Sequence, residues 1–293
     1  MVIHYHMPLY RPPSEGNNLI IQVTLGCSFN QCSFCCMYRD KTYTQRPLDE
    51  IFQDIHTAAK QWPEAHRIFL ADGDALSLPT ASLIAILQEL HAIFPHLTRV
   101  TCYATPGNIL RKSATELQQL QQEGLKLLYL GIESGSNLIL KKITKGATQK
   151  SIAKAMTKAH DAGLKVSGTV ILGLGGTTHW QEHIDGTIAL LNQAPITYLS
   201  TLQLYLDEGV INEFYSKFGE PFNMPDDNAI LQEQIKLISG LNPPRPIIFR
   251  SNHASNALAL AGTLPKEKDK LLKQLHEALD GQRQLRPKHL RGL

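Results

Sequence analysis

The stretch that decides the fold is residues 19–36, which read LIIQVTLGCSFNQCSFCC. Its first seven residues, Leu19–Leu25, are mostly apolar and β-branched and predict a buried strand. The loop that follows contains four cysteines within ten positions: Cys27, Cys32, Cys35 and Cys36. Because a disulfide framework spreads its cysteines along a chain, this grouping predicts a metal site on the loop after the first strand.

Strand and helix patterns alternate after this loop. The predicted strands are Leu19–Leu25, Arg67–Ala71, Arg99–Ala104, Lys126–Ile132, Lys165–Leu172 and Tyr198–Tyr205. The predicted helices are Leu48–Gln61, Ser82–Ile93, Ser113–Glu123, Lys150–Ala162 and Thr178–Asn192. Such alternation indicates an α/β fold with parallel strands. Since no GxGxxG follows the first strand, it favours a partial (β/α)6 TIM-like barrel over a dinucleotide-binding sheet.

The pattern loosens beyond Glu208 into short helices, a proline-rich joint at residues 243–246 and a last helix from Pro265 to Leu279. We therefore predict an N-terminal extension over residues 1–18, a partial barrel over 19–207, and a small, mostly helical cap with a basic tail over 208–293. The tail lacks apolar periodicity and is predicted to be loose at its end.

Composition limits the partners. The 293 residues include 43% hydrophobic side chains, enough to bury a sizeable core. Lys and Arg total 29 against 26 Asp and Glu, and a net charge of +3 does not by itself imply nucleic acid or a membrane. Without a run of about 18 apolar residues or a signal-like start, we expect a cytoplasmic protein with no membrane partner.

In a barrel of this kind the chemistry lies on loops at the carboxyl ends of the strands, where the cysteines fall. Four residues separate Cys27 from Cys32, two separate Cys32 from Cys35, and Phe34 directly precedes the last of these. Three thiolates can hold three irons of a 4Fe-4S cube and leave the fourth iron for a chelating ligand. The loop resembles that of the radical S-adenosylmethionine (SAM) superfamily, whose usual pattern has one residue fewer between the first two cysteines.

The resemblance implies one 4Fe-4S cluster held by Cys27, Cys32 and Cys35, with SAM bound at the open iron. The alternative is a structural zinc site with Cys36 as fourth ligand, although adjacent thiols such as Cys35 and Cys36 chelate poorly together. Only Cys36 and Cys102 remain, too few for a second four-cysteine cluster, which argues against a methylthiotransferase. Both are predicted to be small buried apolar residues.

The end of the second predicted strand supports the same resemblance. Residues 71–75, ADGDA, stand where the superfamily has a Gly-Gly-Glu-Pro-like turn that receives the amino group of SAM. Gly73 lets the backbone approach a ligand closely, and the carboxylate of Asp74 suits an ammonium group. The alternative is an ordinary Asp-Gly turn between strand and helix.

The end of the fourth predicted strand, residues 130–135 (LGIESG), is followed by Lys145 twelve positions after Glu133. This spacing resembles the branch that contains oxygen-independent coproporphyrinogen dehydrogenases, tRNA methylthiotransferases and the elongator catalytic subunit. By that resemblance Glu133 hydrogen-bonds the ribose or methionine end of SAM, and Lys145 pairs with its carboxylate. A solvated lysine after a helix is the alternative for Lys145.

The end of the fifth predicted strand, residues 168–176 (GTVILGLGG), resembles the segment that packs an isoleucine-like side chain against adenine. Ile171 and Gly173 match it, Thr169 takes the place of a polar ribose contact, and the usual terminal acid falls on Gly176. The resemblance thus assigns nine residues to the SAM site: Phe34, Gly73, Asp74, Glu133, Ser134, Lys145, Thr169, Ile171 and Gly173.

Residues 249–256, outside the region of resemblance, contain six polar or charged side chains. If the cap covers the barrel mouth, four of them line the substrate pocket: Arg250, Asn252, His253 and Asn256. The alternative is an Asn/Ser cap before a helix over residues 254–261.

The sequence therefore predicts a radical SAM enzyme that cleaves SAM to a 5′-deoxyadenosyl radical, which abstracts hydrogen from a small-molecule substrate. An external one-electron donor such as flavodoxin or ferredoxin is implied. One alternative is an oxidative decarboxylase or dehydrogenase like the coproporphyrinogen enzymes. Another is an RNA-modifying enzyme, including a tRNA-modifying one, because the basic tail can attract RNA. A third is a zinc-stabilised nucleic-acid-binding module.

Overall fold

The computed structural model describes residues 3–292, so residues 1, 2 and 293 of the predicted extension and tail lie outside the described residues. The chain forms two compact units. The first comprises the residues up to 30 with 37–130 and 158–166, and the second comprises 31–36, 131–157 and the residues from 167 onward.

Within residues 3–292, eight strands form the main sheet, in the order β1-β4-β5-β6-β7-β8-β9-β10, while β2 pairs antiparallel with β3. The strands are β1 (Leu19–Gln22), β2 (Thr24–Leu25), β3 (Thr44–Gln45), β4 (Arg67–Ala71), β5 (Arg99–Ala104), β6 (Leu125–Glu133), β7 (Lys165–Leu172), β8 (Tyr198–Gln203), β9 (Ile247–Ser251) and β10 (Leu260–Leu264). In the first unit β1, β4, β5 and β6 pair in parallel, and in the second β7, β8 and β9 do. This confirms the predicted α/β class and its parallel strands.

All five predicted helices are present, and each of their ends lies within two residues of its predicted position. The helices are α1 (Leu48–Gln61), α2 (Thr80–Ile93), α3 (Pro106–Arg111), α4 (Ala114–Gln122), α5 (Asn137–Lys142), α6 (Gln149–Asp161), α7 (Trp180–Gln193), α8 (Glu208–Phe218), α9 (Asp227–Gly240) and α10 (Lys268–Leu279). The six-residue helices α3 and α5 were not predicted, because they are too short to show an apolar period.

The sequence forms these elements for ordinary reasons. Four of the five residues of β4, Ile68–Ala71, are fully buried, as expected for a parallel strand covered on both faces. Helix α1 buries Ile51, Ile55 and Ala58, an i, i+4, i+7 stripe. Helix α4 begins with a capping box in which Ser113 and Glu116 satisfy each other's backbone amides.

Between residues 208 and 292 the chain forms the helices α8, α9 and α10, as expected for a mostly helical part, and also the strands β9 and β10, which the sequence did not predict. Strand β9 pairs in parallel with β8, and β10 pairs antiparallel with β9. Residues 249–251, part of the polar segment for which the sequence predicted a substrate role, therefore belong to a strand. The alternative helix over residues 254–261 is wrong, because Leu260 already begins β10.

The tail is attached to the rest of the protein as far as Arg291, whereas the sequence predicted it to be loose toward its end. The guanidinium of Arg291 forms a bidentate ion pair with the carboxylate of Asp227, at 2.7 and 2.8 Å. The guanidinium of Arg286 donates hydrogen bonds to the carbonyl oxygens of His253 and Ala254. Apolar periodicity could not predict this attachment, because hydrogen bonds to charged groups hold the tail. Among residues 3–292, no helix has the length and apolar character needed to cross a bilayer.

Candidate functional site

The cysteine loop places Cys27, Cys32, Cys35 and Cys36 in half-buried positions, while Cys102 is buried in β5. Burial raises the pKa of the Cys102 thiol to about 12, so it is an inert apolar residue, as predicted. The prediction of burial does not hold for Cys36, which is only half-buried. Within residues 3–292 no three His, Cys, Asp or Glu side chains are assembled into a metal-binding group. The ligand set therefore rests on the chemistry and spacing of the thiols.

The turn after β4 contacts the cysteine loop. Asp74 is fully buried, and its oxygens accept hydrogen bonds from the Ser28 amide at 3.1 Å, the Ser28 hydroxyl, and the Asn108 side chain at 3.0 Å. Desolvation raises the pKa of Asp74, and these hydrogen bonds partly oppose the rise. A Cβ on Gly73 would lie 2.8 Å from Cβ of Cys27, so only glycine fits. The turn therefore does more than connect a strand to a helix.

Glu133 and Lys145 form a partly buried ion pair, with Nζ of Lys145 2.8 Å from Oε1 of Glu133. The two side chains are 11% and 10% exposed, which excludes the solvated lysine considered as an alternative. Burial lowers the pKa of Lys145, but Glu133 and the thiols of Cys32 and Cys35 outweigh it and raise the pKa above its usual value. The lysine is therefore cationic and lies within the electrostatic influence of two loop cysteines.

The backbone at this strand end is unusual. Glu133 has φ +61°, a left-handed conformation that non-glycine residues adopt infrequently and that is found enriched at functional sites. Two positions earlier, Gly131 has no side chain, and the ion pair occupies the space that a side chain would fill. A Cβ at residue 131 would overlap the carboxylate of Glu133. The sequence spacing predicted both charged residues but not their mutual bond.

His183 is a site residue that the sequence analysis missed. Its Nδ1 lies 2.8 Å from the hydroxyl of Ser134, and its Nε2 lies 3.0 Å from the carbonyl oxygen of Ile171. Burial lowers the pKa of His183 to about 4, so the ring is neutral at pH 7. With Nε2 donating and Nδ1 accepting, it joins the ends of β6 and β7. The sequence signal for this residue was a histidine on the face of α7 that also contains Ile184 and Thr187 and that is buried.

Phe34 and Ile171 share an apolar environment. Both are half-buried and pack against one cluster of fully or nearly fully buried side chains: Ile139, Ile143, Leu174, Leu204, Phe214 and Phe218. Thr169 is also half-buried, two positions before Ile171 in β7. The structure thus brings together two residues that the resemblance assigned to SAM from distant parts of the sequence.

The segment after β7 is held by a second residue that the sequence analysis missed. Glu233 of α9 is 1% exposed and accepts a hydrogen bond from the amide of Gly173 at 2.8 Å. Desolvation raises the pKa of Glu233 to about 8, with the Gly173 amide opposing the rise. The sequence signal for it was an acidic residue on the largely apolar buried face of α9, between Ile230 and Leu237.

The predicted substrate residues lie in different environments. Arg250 and Asn252 are exposed, and His253 is half-buried with its Nδ1 2.9 Å from the Ser255 hydroxyl. Asn256 is buried, where its side chain accepts from the Gln203 amide and donates to the Thr201 carbonyl oxygen, each at 2.7 Å. The side chain of Asn256 therefore holds the segment after β9 to the backbone of β8. A substrate role for these four residues stays a prediction.

Comparison with known proteins shows which family the chain belongs to. The model of the radical SAM superfamily matches residues 21–190, more than half of the chain. The tRNA-2-methylthio-N(6)-dimethylallyladenosine synthase of Shewanella sp. (strain W3-18-1) is 26% identical over 199 residues, 63% of this chain and 40% of that protein. The heme chaperone HemW of Bacillus subtilis is 26% identical over 171 residues, 54% of this chain and 45% of that protein. The chain thus spans less than half the length of these relatives.

Two solved structures share the fold. Coproporphyrinogen III oxidase (HemN) from Escherichia coli aligns with a TM-score of 0.59 at 17% identity, over 76% of this chain and 52% of that one. Methylornithine synthase (PylB) aligns with a TM-score of 0.52 at 15% identity, over 90% of this chain and 81% of that one. The chain therefore belongs to the radical SAM superfamily, and it is an enzyme whose cofactors are a 4Fe-4S cluster and S-adenosylmethionine.

Proposed function

We propose that this enzyme binds one 4Fe-4S cluster through Cys27, Cys32 and Cys35, cleaves SAM reductively, and abstracts hydrogen from a small molecule. The observation that supports this most directly is the environment of Lys145. Its ammonium lies 2.8 Å from the carboxylate of Glu133 and is influenced by the thiols of Cys32 and Cys35. A cation beside two proposed cluster ligands is suited to an anionic group bound next to them.

A cluster held by Cys27, Cys32 and Cys35 would supply the single electron that reductive cleavage of the sulfonium C–S bond of SAM to methionine and a 5′-deoxyadenosyl radical requires. The chain's own residues bind and orient SAM. An ammonium has three N–H donors, of which Glu133 uses one, so Lys145 has donors left for the carboxylate of SAM. The same bond to Glu133 keeps the lysine charged and directs its side chain.

Other residues shape the adenine end of the site. Phe34 and Ile171 present apolar surface backed by one buried cluster, which suits a purine ring and excludes water from the reacting radical. His183 fixes Ile171 and Ser134 relative to one another through both ring nitrogens. It is a positioning residue, because neither nitrogen is left to contact a ligand.

A small molecule is proposed as substrate over RNA because three of the four tail cations that favoured RNA are engaged within the protein. Arg291 pairs with Asp227, Arg283 pairs with Glu277 at 2.9 Å, and Arg286 donates to backbone carbonyl oxygens. The tRNA-modifying relatives keep RNA as the alternative. Strongly salt-dependent binding of unmodified tRNA by the purified enzyme would favour that alternative. Membership of the superfamily removes the support for a zinc-stabilised module.

The test is anaerobic reconstitution with iron and sulfide, followed by metal analysis and incubation with SAM and dithionite. We expect about four irons per chain, a brown protein and slow release of 5′-deoxyadenosine without substrate. Reduced flavodoxin or ferredoxin should replace dithionite as electron donor.

Lys145→Gln should retain the irons but bind SAM about tenfold more weakly, because a charged hydrogen-bond partner is lost. Zinc without iron, or iron without SAM cleavage, would contradict the proposal.

A further inference from the structure

The turn that follows β4, residues 72–74, lies against the segment that contains the first cysteine, residues 26–28. We call them the acid turn and the Cys27 segment. Asp72 accepts a hydrogen bond from the amide of the residue before Cys27 at 3.1 Å, and Asp74 accepts one from the amide of the residue after it at 3.1 Å. Two carboxylates of one turn therefore hold the amides on both sides of this cysteine.

The middle residue of the acid turn completes the contact. The amide of Gly73 donates to the carbonyl oxygen of Gly26 at 3.1 Å. A Cβ on Gly73 would lie 2.8 Å from Cβ of Cys27, closer than real Cβ contacts come. The acid turn thus contacts the Cys27 segment through its backbone as well as through its two acids, and no side chain fits between them.

Protein groups bind both oxygens of Asp74 and one oxygen, Oδ2, of Asp72. Asp74 is fully buried and also accepts hydrogen bonds from the hydroxyl of Ser28 and the side-chain amide of Asn108. Asp72 is fully buried and pairs with Lys41, whose Nζ lies 2.8 Å away. Since a carboxylate offers about four acceptor sites, Asp74 has most of its capacity satisfied within the chain.

We propose that the acid turn is a clamp that positions Cys27, and that Asp74 acts on the Cys27 segment and not on the amino group of SAM. This inference rests on the proposed function only in taking Cys27 as a cluster ligand. Lys41 pairs with Oδ2 of Asp72, and hydrogen bonds from Ser28 and Asn108 stabilise Asp74, so each acid holds the Cys27 segment with a carboxylate that is itself stabilised by the protein. Asp72 and Asp74 are positioning residues on this view.

The first test uses metal-free protein, so that the clamp is measured without the cluster. We would follow alkylation of Cys27 by iodoacetamide with peptide mass spectrometry, together with hydrogen exchange of the Cys27 segment. Asp74→Ala and the milder Asp74→Asn should both accelerate alkylation, by about tenfold for the alanine, because one or more hydrogen bonds to a buried charge are lost. Asp40→Asn, an exposed acid on the same loop, is the matched control and should leave the rate unchanged.

The second test uses reconstituted protein. Asp74→Asn molecules that retain about four irons should bind SAM with a dissociation constant within about threefold of the unsubstituted enzyme, since the clamp acts before SAM binds. Unchanged alkylation and exchange, with full iron but SAM binding at least tenfold weaker, would overturn the clamp and make Asp74 a SAM ligand. If Cys27→Ala retained its iron, the proposed function would be contradicted. The alkylation rates would still show whether the acid turn positions Cys27.

Discussion

Gly131 and Lys145 lie so close that a Cβ atom added to the glycine would be 2.8 Å from Nζ of the lysine. The same Cβ would overlap the carboxylate of Glu133, the partner of that lysine. The absence of a side chain at residue 131 therefore makes room for the ion pair at the end of β6. Because the overlapping atoms are the ends of two flexible side chains, a methyl group there would displace the pair before it disturbed the strand.

Gly131→Ala is expected to weaken SAM binding about tenfold and to lower the melting temperature, because the ion pair also stabilises the folded chain. Displacing the pair costs a hydrogen bond between charged groups, which contributes about 1.5 to 3 kcal/mol. Equilibrium dialysis with reconstituted protein and a thermal melt would measure the two effects. Gly107→Ala is the control, because its Cβ would meet neighbours only at 3.7 Å or beyond. Unchanged SAM affinity in Gly131→Ala would contradict the role given to the pair.

The ligand set predicts a difference between adjacent cysteines. Replacing Cys27, Cys32 or Cys35 by Ala should abolish the cluster, since three irons of the cube each need a thiolate. Cys36→Ala should retain about four irons per chain, measured after anaerobic reconstitution. Equal loss of iron from Cys36→Ala would show that the extra residue between the first two cysteines has shifted the ligand set.

Substitutions in the SAM site and in the cap should have different effects on SAM cleavage measured without substrate. Glu133→Ala should suppress the dithionite-driven cleavage of SAM, because Lys145 loses its 2.8 Å partner. Arg250→Ala should leave that cleavage intact, since Arg250 is exposed and its Nη1 donates to the carbonyl oxygen of its own neighbour, Phe249, at 2.8 Å. The measurement is 5′-deoxyadenosine formed per cluster. Loss of cleavage in Arg250→Ala would place this part of the cap in the SAM site.

His183 should make the protein sensitive to acid. Its pKa is lowered to about 4 in the folded chain, whereas an unfolded histidine titrates near 6.5. Between these values the unfolded state binds a proton that the folded state does not, so stability falls as pH falls from about 6.5 to about 4, by about 3 kcal/mol. Urea unfolding of His183→Gln should lack this component. An identical pH dependence in the variant and the unsubstituted chain would refute the buried neutral ring.

Glu233 should produce the opposite dependence. Its pKa is raised from 4.5 to about 8 on folding, so the folded state binds the extra proton between these values and stability falls as pH rises from about 4.5 to about 8. Glu233→Gln keeps a group that can accept from the Gly173 amide but cannot ionise. Relative to the unsubstituted chain it should gain stability between pH 5 and pH 8, by up to about 5 kcal/mol. A constant difference in melting temperature across that range would contradict the shift.

The sequence by itself determined the α/β class, the six strands of the barrel-like core and the loop that holds the cysteines. Local causes set these features: apolar runs such as Leu19–Leu25, the stripe of Ile51 and Ile55, and the spacing of three thiols on one loop. These signals lie within a few residues of one another, so no knowledge of distant contacts was needed to detect them.

Only the tertiary structure decided which groups act together. The bond from His183 to Ile171, the bond from Gly173 to Glu233 and the hold of Asp74 on Ser28 join residues 12, 60 and 46 positions apart. A buried polar group must find a partner, but its identity depends on how helices and strands pack, and sequence spacing does not encode that. The same holds for the tail, which was misjudged because a bidentate ion pair leaves no apolar period.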